Sequence, residues 1–169
     1  MAAGHRFRGS WRQGIAALAL LAAFAGAAAP CWAVEEDDDL AAQRDPDYAA
    51  GRKASAAKDW NAAIKFFSAA AQRDPDNADI QNSLGYAHRK AGKLELAFKY
   101  YRRALEINPR HRGAHEYIGE AYLMAGDLAG AQKHLDALRK ICLLPCEELG
   151  DLEREIAAYR KKSAGERPR

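Results

Sequence analysis

Residues 78–111 of this 169-residue chain read ADIQNSLGYAHRKAGKLELAFKYYRRALEINPRH. Gly92 divides the segment into two stretches of helix length, and Asn108-Pro109 closes it. Glycine ends helices because it adopts the left-handed backbone easily, and proline cannot continue a helix. The segment therefore predicts two helices joined by a short turn.

The features of this segment recur with a period of 34 residues. Five series of equivalent positions share the period: Gly51, Gly85 and Gly119; Ala63, Ala97 and Ala131; Pro75 and Pro109; Ala70, Ala104 and Leu138; Phe67, Tyr101 and Leu135. A helix pair cannot bury its own apolar face, so repeated pairs are expected to stack. Glycine within a helix costs up to about 1 kcal/mol relative to alanine. We expect the repeated glycines to allow close approach of the paired helix, with Ala63, Ala97 and Ala131 as the small facing residues.

These positions resemble the tetratricopeptide repeat, whose period is also 34 residues. The second copy carries the resemblance most clearly, with Leu84-Gly85, Gly92, Ala97, Tyr101, Ala104 and Pro109. The first copy departs from the pattern in its first helix, where Asp47, Ala50 and Ala54 fill places that are usually large and apolar. The resemblance implies an all-α fold, a right-handed α-solenoid of three helix pairs with a C-terminal capping helix.

The repeat register sets the expected boundaries. The three copies cover residues 45–143, at about 44–77, 78–111 and 112–145. The predicted helices are 45–57, 61–73, 78–91, 95–107, 112–125 and 129–141, with Gly92 and Gly126 in the turns between paired helices. Scarcity of Val, Ile and Thr, which strands favour, agrees with an all-helical chain.

A further helix is predicted over 146–162, followed by a basic tail over 163–169. Its apolar residues recur at spacings of three, four and three, which places them on one helix face. They are Leu149, Leu152, Ile156 and Tyr159. We expect this face to cover the exposed edge of the third copy.

The first 33 residues have the pattern of a secretory signal peptide. Three arginines and no acidic residue precede an uncharged run from Gly14 to Ala29, which at roughly 16 residues is short for a membrane-spanning helix. We prefer cleavage after Ala33 over cleavage after Ala29, and expect a periplasmic location. An acidic linker, 34–44, would follow. Retention of the leader as a membrane anchor and lipid attachment at Cys31 stay as minor alternatives.

The charge balance argues against general nucleic-acid binding. The chain has 26 basic and 23 acidic residues. Arg6, Arg8 and Arg12 all lie in the leader, so the remainder has no net charge. A nucleic-acid binder usually carries a basic excess.

Cys142 and Cys146 remain after the leader. In an oxidising compartment two such cysteines predict a disulfide, and a spacing of four permits one if the turn brings the Cα atoms together. Unpaired thiols, a redox-active pair and metal binding stay as alternatives.

A tetratricopeptide array lines its concave groove with the first helix of each pair. The repeat register places eight residues there as a candidate peptide-binding site: Tyr48, Arg52, Asn82, Tyr86, Arg89, Lys90, Glu116 and Glu120. Tyr86 with Arg52 and Arg89 would hold an acidic segment or the C-terminus of a peptide. A carboxylate clamp of the chaperone type is not expected, since the equivalent places hold Tyr48, Arg52, Ser83, Gly113 and Tyr117, of which one is basic.

The histidines and carboxylates give no catalytic pattern. His88 is predicted to pack inside the fold and His134 to lie on an exposed face. His111 and His115, four residues apart, would face one way, but no glutamate accompanies them as in a zinc-hydrolase motif. We expect no enzyme activity, no metal and no cofactor.

The leading hypothesis is a non-catalytic scaffold or adaptor in the bacterial periplasm, acting in envelope assembly or secretion. Its partner would be a protein or peptide, without nucleic acid and without membrane once the leader is cleaved. One alternative is a structural envelope subunit that assembles through the convex face or the ends of the array. Another is a redox or metal-handling accessory that uses Cys142 and Cys146.

Overall fold

The computed structural model describes residues 42–165, which contain no strand. Seven helices lie between residues 46 and 165: α1 (Pro46–Ala56), α2 (Trp60–Arg73), α3 (Ala78–Lys90), α4 (Leu94–Ile107), α5 (Arg112–Met124), α6 (Leu128–Ile141) and α7 (Glu147–Gly165). The all-α prediction is confirmed. Each of the first six helices begins and ends within one residue of its predicted position.

Two predicted boundaries differ from the structure. Residues 42–44, assigned to the acidic linker, are helical, and Ala42 is buried against the first helix pair. Ser163–Gly165, assigned to the basic tail, form the last turn of α7. No proline lies between Glu147 and Gly165 to end the helix earlier. The predicted signal peptide, the rest of the linker and residues 166–169 lie outside the described residues.

The helices pack in chain order. α1 packs with α2, α3 with α4 and α5 with α6, and successive pairs meet through α2 with α3 and α4 with α5. α7 packs against both α5 and α6. It buries Leu152 and Ile156 against Leu135 and Leu138, with Leu149 and Tyr159 at the edge of the cluster. The apolar face predicted for the closing helix is therefore the face that covers the third pair.

The repeated glycines leave room for large side chains. A Cβ built on Gly51 would come within 2.5 Å of the Phe67 ring, and one on Gly85 within 2.7 Å of the Tyr101 ring. At Gly119 the nearest side chain is Leu152 of α7, at 2.7 Å. The side chains nearest to the three glycines are thus larger than the alanines expected to face them. Helix-period arguments locate a close approach but do not identify which side chain fills it.

Three turns between paired helices share one backbone conformation. Gly92 and Gly126 have φ of +75° and +81°, and Lys58 stands at the equivalent place with φ of +58°. The left-handed turns predicted at the two glycines are confirmed.

The helix starts show where local stabilisation is missing. Asp59 and Asp127, 68 residues apart, each accept a backbone N–H in the first turn of α2 and α6, from Ala62 at 3.0 Å and Gly130 at 2.8 Å. Lys93, midway between them, makes no such bond at the start of α4. Side-chain caps satisfy N–H groups that a helix cannot pair internally.

We expect Lys93→Asp to raise the free energy of unfolding by about 1 kcal/mol, because it restores the cap and places a negative charge at the helix N-terminus. Urea denaturation measures the change. Lys93→Ala is the matched control, since it removes the same positive charge without adding a cap. An equal gain in both variants would contradict the capping explanation.

Candidate functional site

A cleft of about 230 Å³ crosses the first helices of the three pairs. Four of the eight predicted groove residues, Tyr48, Arg52, Asn82 and Tyr86, line it, together with Ser55, Phe67, Ser83 and Tyr117. α1, α3 and α5 each contribute at least one of these side chains. The structure therefore brings four of the predicted side chains together at one cleft.

Aromatic rings form much of the cleft surface. Tyr86 lies between Trp60, with ring centroids 6.0 Å apart and the rings edge to face, and Tyr117, at 5.1 Å. Tyr48 packs on Phe67 at 5.5 Å. Packed rings of this kind give a flat, rigid surface for apolar side chains of a ligand. Trp60 belongs to α2, so a repeat register that assigned the groove to first helices missed it.

Two polar atoms in the cleft lack internal partners. Asn82 is 8% exposed, and neither its Oδ1 atom nor the Oγ atom of Ser55 has a hydrogen-bond partner among the described residues. Neighbouring Ser83 Oγ, by contrast, bonds to the Tyr48 hydroxyl at 3.1 Å. A buried polar atom without a partner costs about 1–3 kcal/mol. A ligand that donates a hydrogen bond to Asn82 Oδ1 would recover that energy.

Arg89 is held inside the fold. It is 5% exposed, its Nε donates to the Tyr101 hydroxyl at 3.2 Å, and its guanidinium pairs with Glu120. The guanidinium also lies over Tyr86 and Tyr117, 5.3 and 5.4 Å from the ring centroids. Arg89 therefore supports the aromatic surface from behind, and Glu120 serves as its counter-ion. The two charges are thus paired with each other. From the sequence, Arg89 was expected to be available to an acidic ligand.

Arg52 and Lys90 are exposed cations close to the aromatic rings of the groove. Arg52 lines the cleft directly. The Lys90 ammonium lies 6.0 Å from the Trp60 ring centroid and 5.7 Å from that of Tyr86. Both side chains are exposed, so each can reach a carboxylate that enters the groove.

Beyond Arg89 the groove continues into a second chamber of about 510 Å³, between α3, α5 and α7. Its lining mixes charged and apolar side chains: Arg89, Lys90, Glu120, Leu123, Met124, Glu155, Ala158, Tyr159 and Lys162. Four of these belong to α7. Sequence reasoning assigned α7 only a covering role, because the helix lies outside the 34-residue register.

Glu116 is a buried acid at this end of the groove. It is 8% exposed. Burial, together with the nearby carboxylates of Glu120, Asp151 and Glu148, raises the pKa of its carboxyl to about 8. Glu116 is therefore largely protonated at neutral pH and acts as a neutral group.

The raised pKa links stability to pH. Because the folded pKa lies above the ordinary value of 4.5, the folded chain holds a proton that the unfolded chain releases. The stabilisation is present at low pH and is lost as pH rises towards and through 8. We expect Glu116→Gln to raise stability relative to the parent by about 1–2 kcal/mol at pH 9 and by little at pH 5. Thermal unfolding across that range measures the difference. Glu155→Gln, at a solvent-exposed position of α7, controls for net charge, and a pH-independent difference would contradict the assignment.

The four histidines between residues 42 and 165 lie in different surroundings. His111 caps α5 by accepting the Ala114 N–H, and its Nε2 lies 3.1 Å from Asp79 Oδ1. His115 turns the other way and contacts His134 of α6. His134 is half-buried, not exposed as predicted, while His88 is buried as predicted and stacks on Tyr100. Between residues 42 and 165, no group of three or more His, Cys, Asp or Glu is placed to hold a metal ion.

The Cα atoms of Cys142 and Cys146 lie 6.0 Å apart, with the sulfur atoms at bonding distance. The two residues flank the turn between α6 and α7. The geometry is compatible with a disulfide.

No helix within 42–165 combines the length and apolarity that crossing a membrane requires.

These features define a class: an all-helical repeat protein with an aromatic groove across the first helix of each pair. Two family models described as tetratricopeptide repeat match residues 78–111 and 99–142. The matched residues, 78–142, therefore have the sequence pattern of tetratricopeptide repeats.

Curated relatives match parts of the chain. The TPR repeat-containing protein PA0015 of Pseudomonas aeruginosa is 36% identical over 58 residues, which are 34% of this chain and 55% of that protein. Protein O-mannosyl-transferase TMTC3 of Homo sapiens is 31% identical over 64 residues, 38% of this chain and 7% of that protein. The match thus spans less than two thirds of the length of either relative.

Solved structures share the fold. The type III secretion translocator chaperone SycD of Yersinia enterocolitica superposes with a TM-score of 0.60 at 17% identity, covering 80% of this chain and 88% of SycD. PcrH, in complex with the chaperone binding region of PopD, gives 0.60 at 23% identity, with 78% and 96% covered. The TPR2B domain of yeast Sti1, in its pHsp70 complex, gives 0.59 at 23% identity, with 78% and 97% covered.

Proposed function

We propose that this chain is a non-catalytic interaction scaffold that binds an extended, acidic segment of a partner protein in its aromatic groove. The observation that carries the proposal is the unpartnered Oδ1 of Asn82, buried in a cleft of aromatic rings with Arg52 at its edge. Enzymes need a group that attacks, or that gives and takes protons at, a bound substrate. The cleft instead offers a hydrogen-bond acceptor, flat rings and a cation.

Each feature selects one part of an extended peptide. Asn82 Oδ1 accepts a backbone N–H of the ligand, the rings of Tyr86 and Tyr117 pack on an apolar side chain, and Arg52 pairs with a carboxylate. Lys90 provides a second cation, beside Trp60. Arg89 keeps Tyr86 and Tyr117 in place from behind. Because the rings are already packed, little side-chain conformational freedom is lost on binding.

Structural relatives support a peptide ligand. SycD forms a complex with a peptide of the translocator YopD, and the first TPR of RPAP3 is bound to the HSP90 peptide SRMEEVD. The latter sequence is acidic. The proposal differs from a carboxylate clamp because one basic residue, Arg52, lines the cleft, so an acidic side chain within a segment is the expected ligand group.

The groove can be tested with a pair of variants on α1. Arg52 lines the cleft, whereas its neighbour Lys53 is exposed outside the set of cleft residues. We expect Arg52→Glu to reduce capture of the partner from an extract of the source cells by about 10-fold or more. Lys53→Glu makes the same charge change and is expected to leave capture intact. Equal loss in both variants would show general electrostatic attraction, and equal retention would exclude the groove.

The proposal includes export to the bacterial periplasm and a role in envelope assembly or secretion. The arginine-rich start and the apolar run before Ala33 support it. N-terminal sequencing of protein from a periplasmic fraction tests the leader, with Val34 as the expected first residue. An intact Met1 in the cytoplasmic fraction would contradict export.

We further propose that Cys142 and Cys146 form a structural disulfide that fixes the turn into α7. Mass spectrometry with and without reductant tests the bond, whose reduction adds two hydrogen atoms to the mass of the chain. Unchanged partner capture by a Cys142→Ser/Cys146→Ser variant is expected. Loss of capture in a variant that remains folded would favour the redox alternative.

A further inference from the structure

Two histidines meet between the helices of the third pair. His115 of α5 is 9% exposed, and its Nδ1 lies 3.0 Å from Nδ1 of His134 on α6. The His134 ring is stacked on Tyr122, with centroids 5.6 Å apart and planes 19° apart. The pair thus links α5 to α6 inside the packed third repeat.

The proton positions in the pair follow from a hydrogen bond that the second and third repeats share. Gln81 Nε2 donates to the carbonyl oxygen of Pro75 at 3.0 Å. Thirty-four residues later, His115 Nε2 lies 3.1 Å from the carbonyl oxygen of Pro109. A carbonyl only accepts, so His115 Nε2 carries a hydrogen. In the neutral ring Nδ1 is then an acceptor, and His134 Nδ1 must be the donor.

This arrangement is most favourable when both rings are neutral. A first added proton leaves the hydrogen bond in place but puts a positive charge inside the interface, which is unfavourable. A second proton also breaks the bond, because two N–H donors then face each other across 3.0 Å.

Most surrounding groups do not compensate the charge. The Pro109 carbonyl favours the protonated form of His115, but His111, the N-cap residue of α5, and Lys133 on α6 act against protonation of the pair. α3 reaches the region with Asp79, which is bonded to His111. α4 reaches it through Phe98, packed on Tyr122, with Arg102 over the Phe98 ring. α7 contributes none of the groups that shift either histidine.

We propose that His115 and His134 form a proton-operated latch that holds α5 against α6 at neutral pH and releases the third repeat on acidification. The latch acts on the fold whether or not the groove binds a peptide. It reaches the groove because α5 also carries Tyr117 and Glu120. Release is therefore expected to disturb the aromatic surface and the Arg89 ion pair at the same time.

The pKa directions agree with this geometry. Burial lowers the pKa of both rings, that of His134 to about 4. A base with a lowered folded pKa stabilises the fold above its ordinary value of 6.5, and that contribution is lost as pH falls below it. For His134 alone, opening at pH 5 is favoured roughly 20-fold more than at pH 7.

Hydrogen exchange on the full chain tests the latch, with protection factors compared at pH 7 and pH 5. We expect protection of α5 and α6 to fall by roughly 20-fold, whereas α1 and α2, which contain no histidine, keep theirs. The informative variant is His115→Gln/His134→Tyr, which installs the residues of the second repeat, Gln81 and Tyr100. It is expected to hold α5 and α6 closed at pH 5, and a fall equal to that of the parent would overturn the proposal.

His88 is the control, because it is a second buried histidine with a lowered pKa. His88→Gln is expected to leave the acid-dependent opening of α5 and α6 unchanged. If that opening disappears in His88→Gln, the acid sensitivity comes from His88 and the proposal is wrong. If the double variant does not fold, NMR titration of the parent decides. Both rings titrating at their ordinary value would refute the latch, and both titrating well below it would support it.

Discussion

Leu152→Ala is expected to lower the free energy of unfolding by about 3 kcal/mol, within the range for fully buried leucines. Leu152 is 0% exposed and joins α7 to the third pair through its contact over Gly119. The lost side chain would leave a cavity between α5 and α7, and packed interiors refill such cavities only in part. Chemical denaturation of the parent and the variant measures the difference.

Gly119 provides the matched test of that contact. Gly119→Ala alone should lower the free energy of unfolding by roughly 1–3 kcal/mol, since the added Cβ would come within 2.7 Å of Leu152. In the Leu152→Ala background the same methyl enters the cavity instead. The double variant is therefore expected to lose less than the two single variants together. Additive losses would show that the two residues do not touch in solution.

Arg89→Met is expected to lower the free energy of unfolding by about 3 kcal/mol. The substitution leaves the Glu120 carboxylate and the Tyr101 hydroxyl without their internal partner. The side chain of Glu120 is 22% exposed, so partial hydration limits the loss. Arg89→Met/Glu120→Gln removes the stranded charge and should recover part of the stability. Thermal unfolding of the three proteins measures this. A double variant as unstable as Arg89→Met would contradict the ion pair as the source.

The helices could be predicted because their signals are local. Gly92, Gly126, Pro75 and Pro109 mark helix ends by backbone chemistry that does not depend on the rest of the fold. The 34-residue period then sets the register. The side chain over each glycine was not predictable in the same way, since at Gly119 it comes from α7, which lies outside the register.

The groove could be located from sequence but its charge state could not. The register placed Arg89 and Glu120 there as separate ligand-binding groups. They pair across 31 residues, and the pairing depends on how α3 and α5 stack. Glu116 becomes neutral because of α7 carboxylates and burial. His134 was predicted to be exposed because spacing along α6 alone does not reveal a partner on another helix. That partner, His115, lies 19 residues earlier on α5.

The aromatic surface could also be predicted only in part. Tyr48 and Tyr86 were expected in the groove as first-helix residues. Trp60 enters from the start of α2, where no periodic argument assigns a function. Its edge-to-face contact with Tyr86 depends on the angle between the helices of the first pair, which sequence spacing does not determine.

Trp60 offers the most direct test of the groove as a peptide site, because it is the one tryptophan between residues 42 and 165. The measurement is its fluorescence during titration with a short capped peptide of glutamates and leucines. Trp60→Phe corrects for the fluorescence of Trp11 and Trp32. We predict a saturable change that is weakened about 10-fold by Arg52→Glu and kept by Lys53→Glu. Absence of saturation in the parent, or equal behaviour of the two charge variants, would contradict binding of an acidic segment in this cleft.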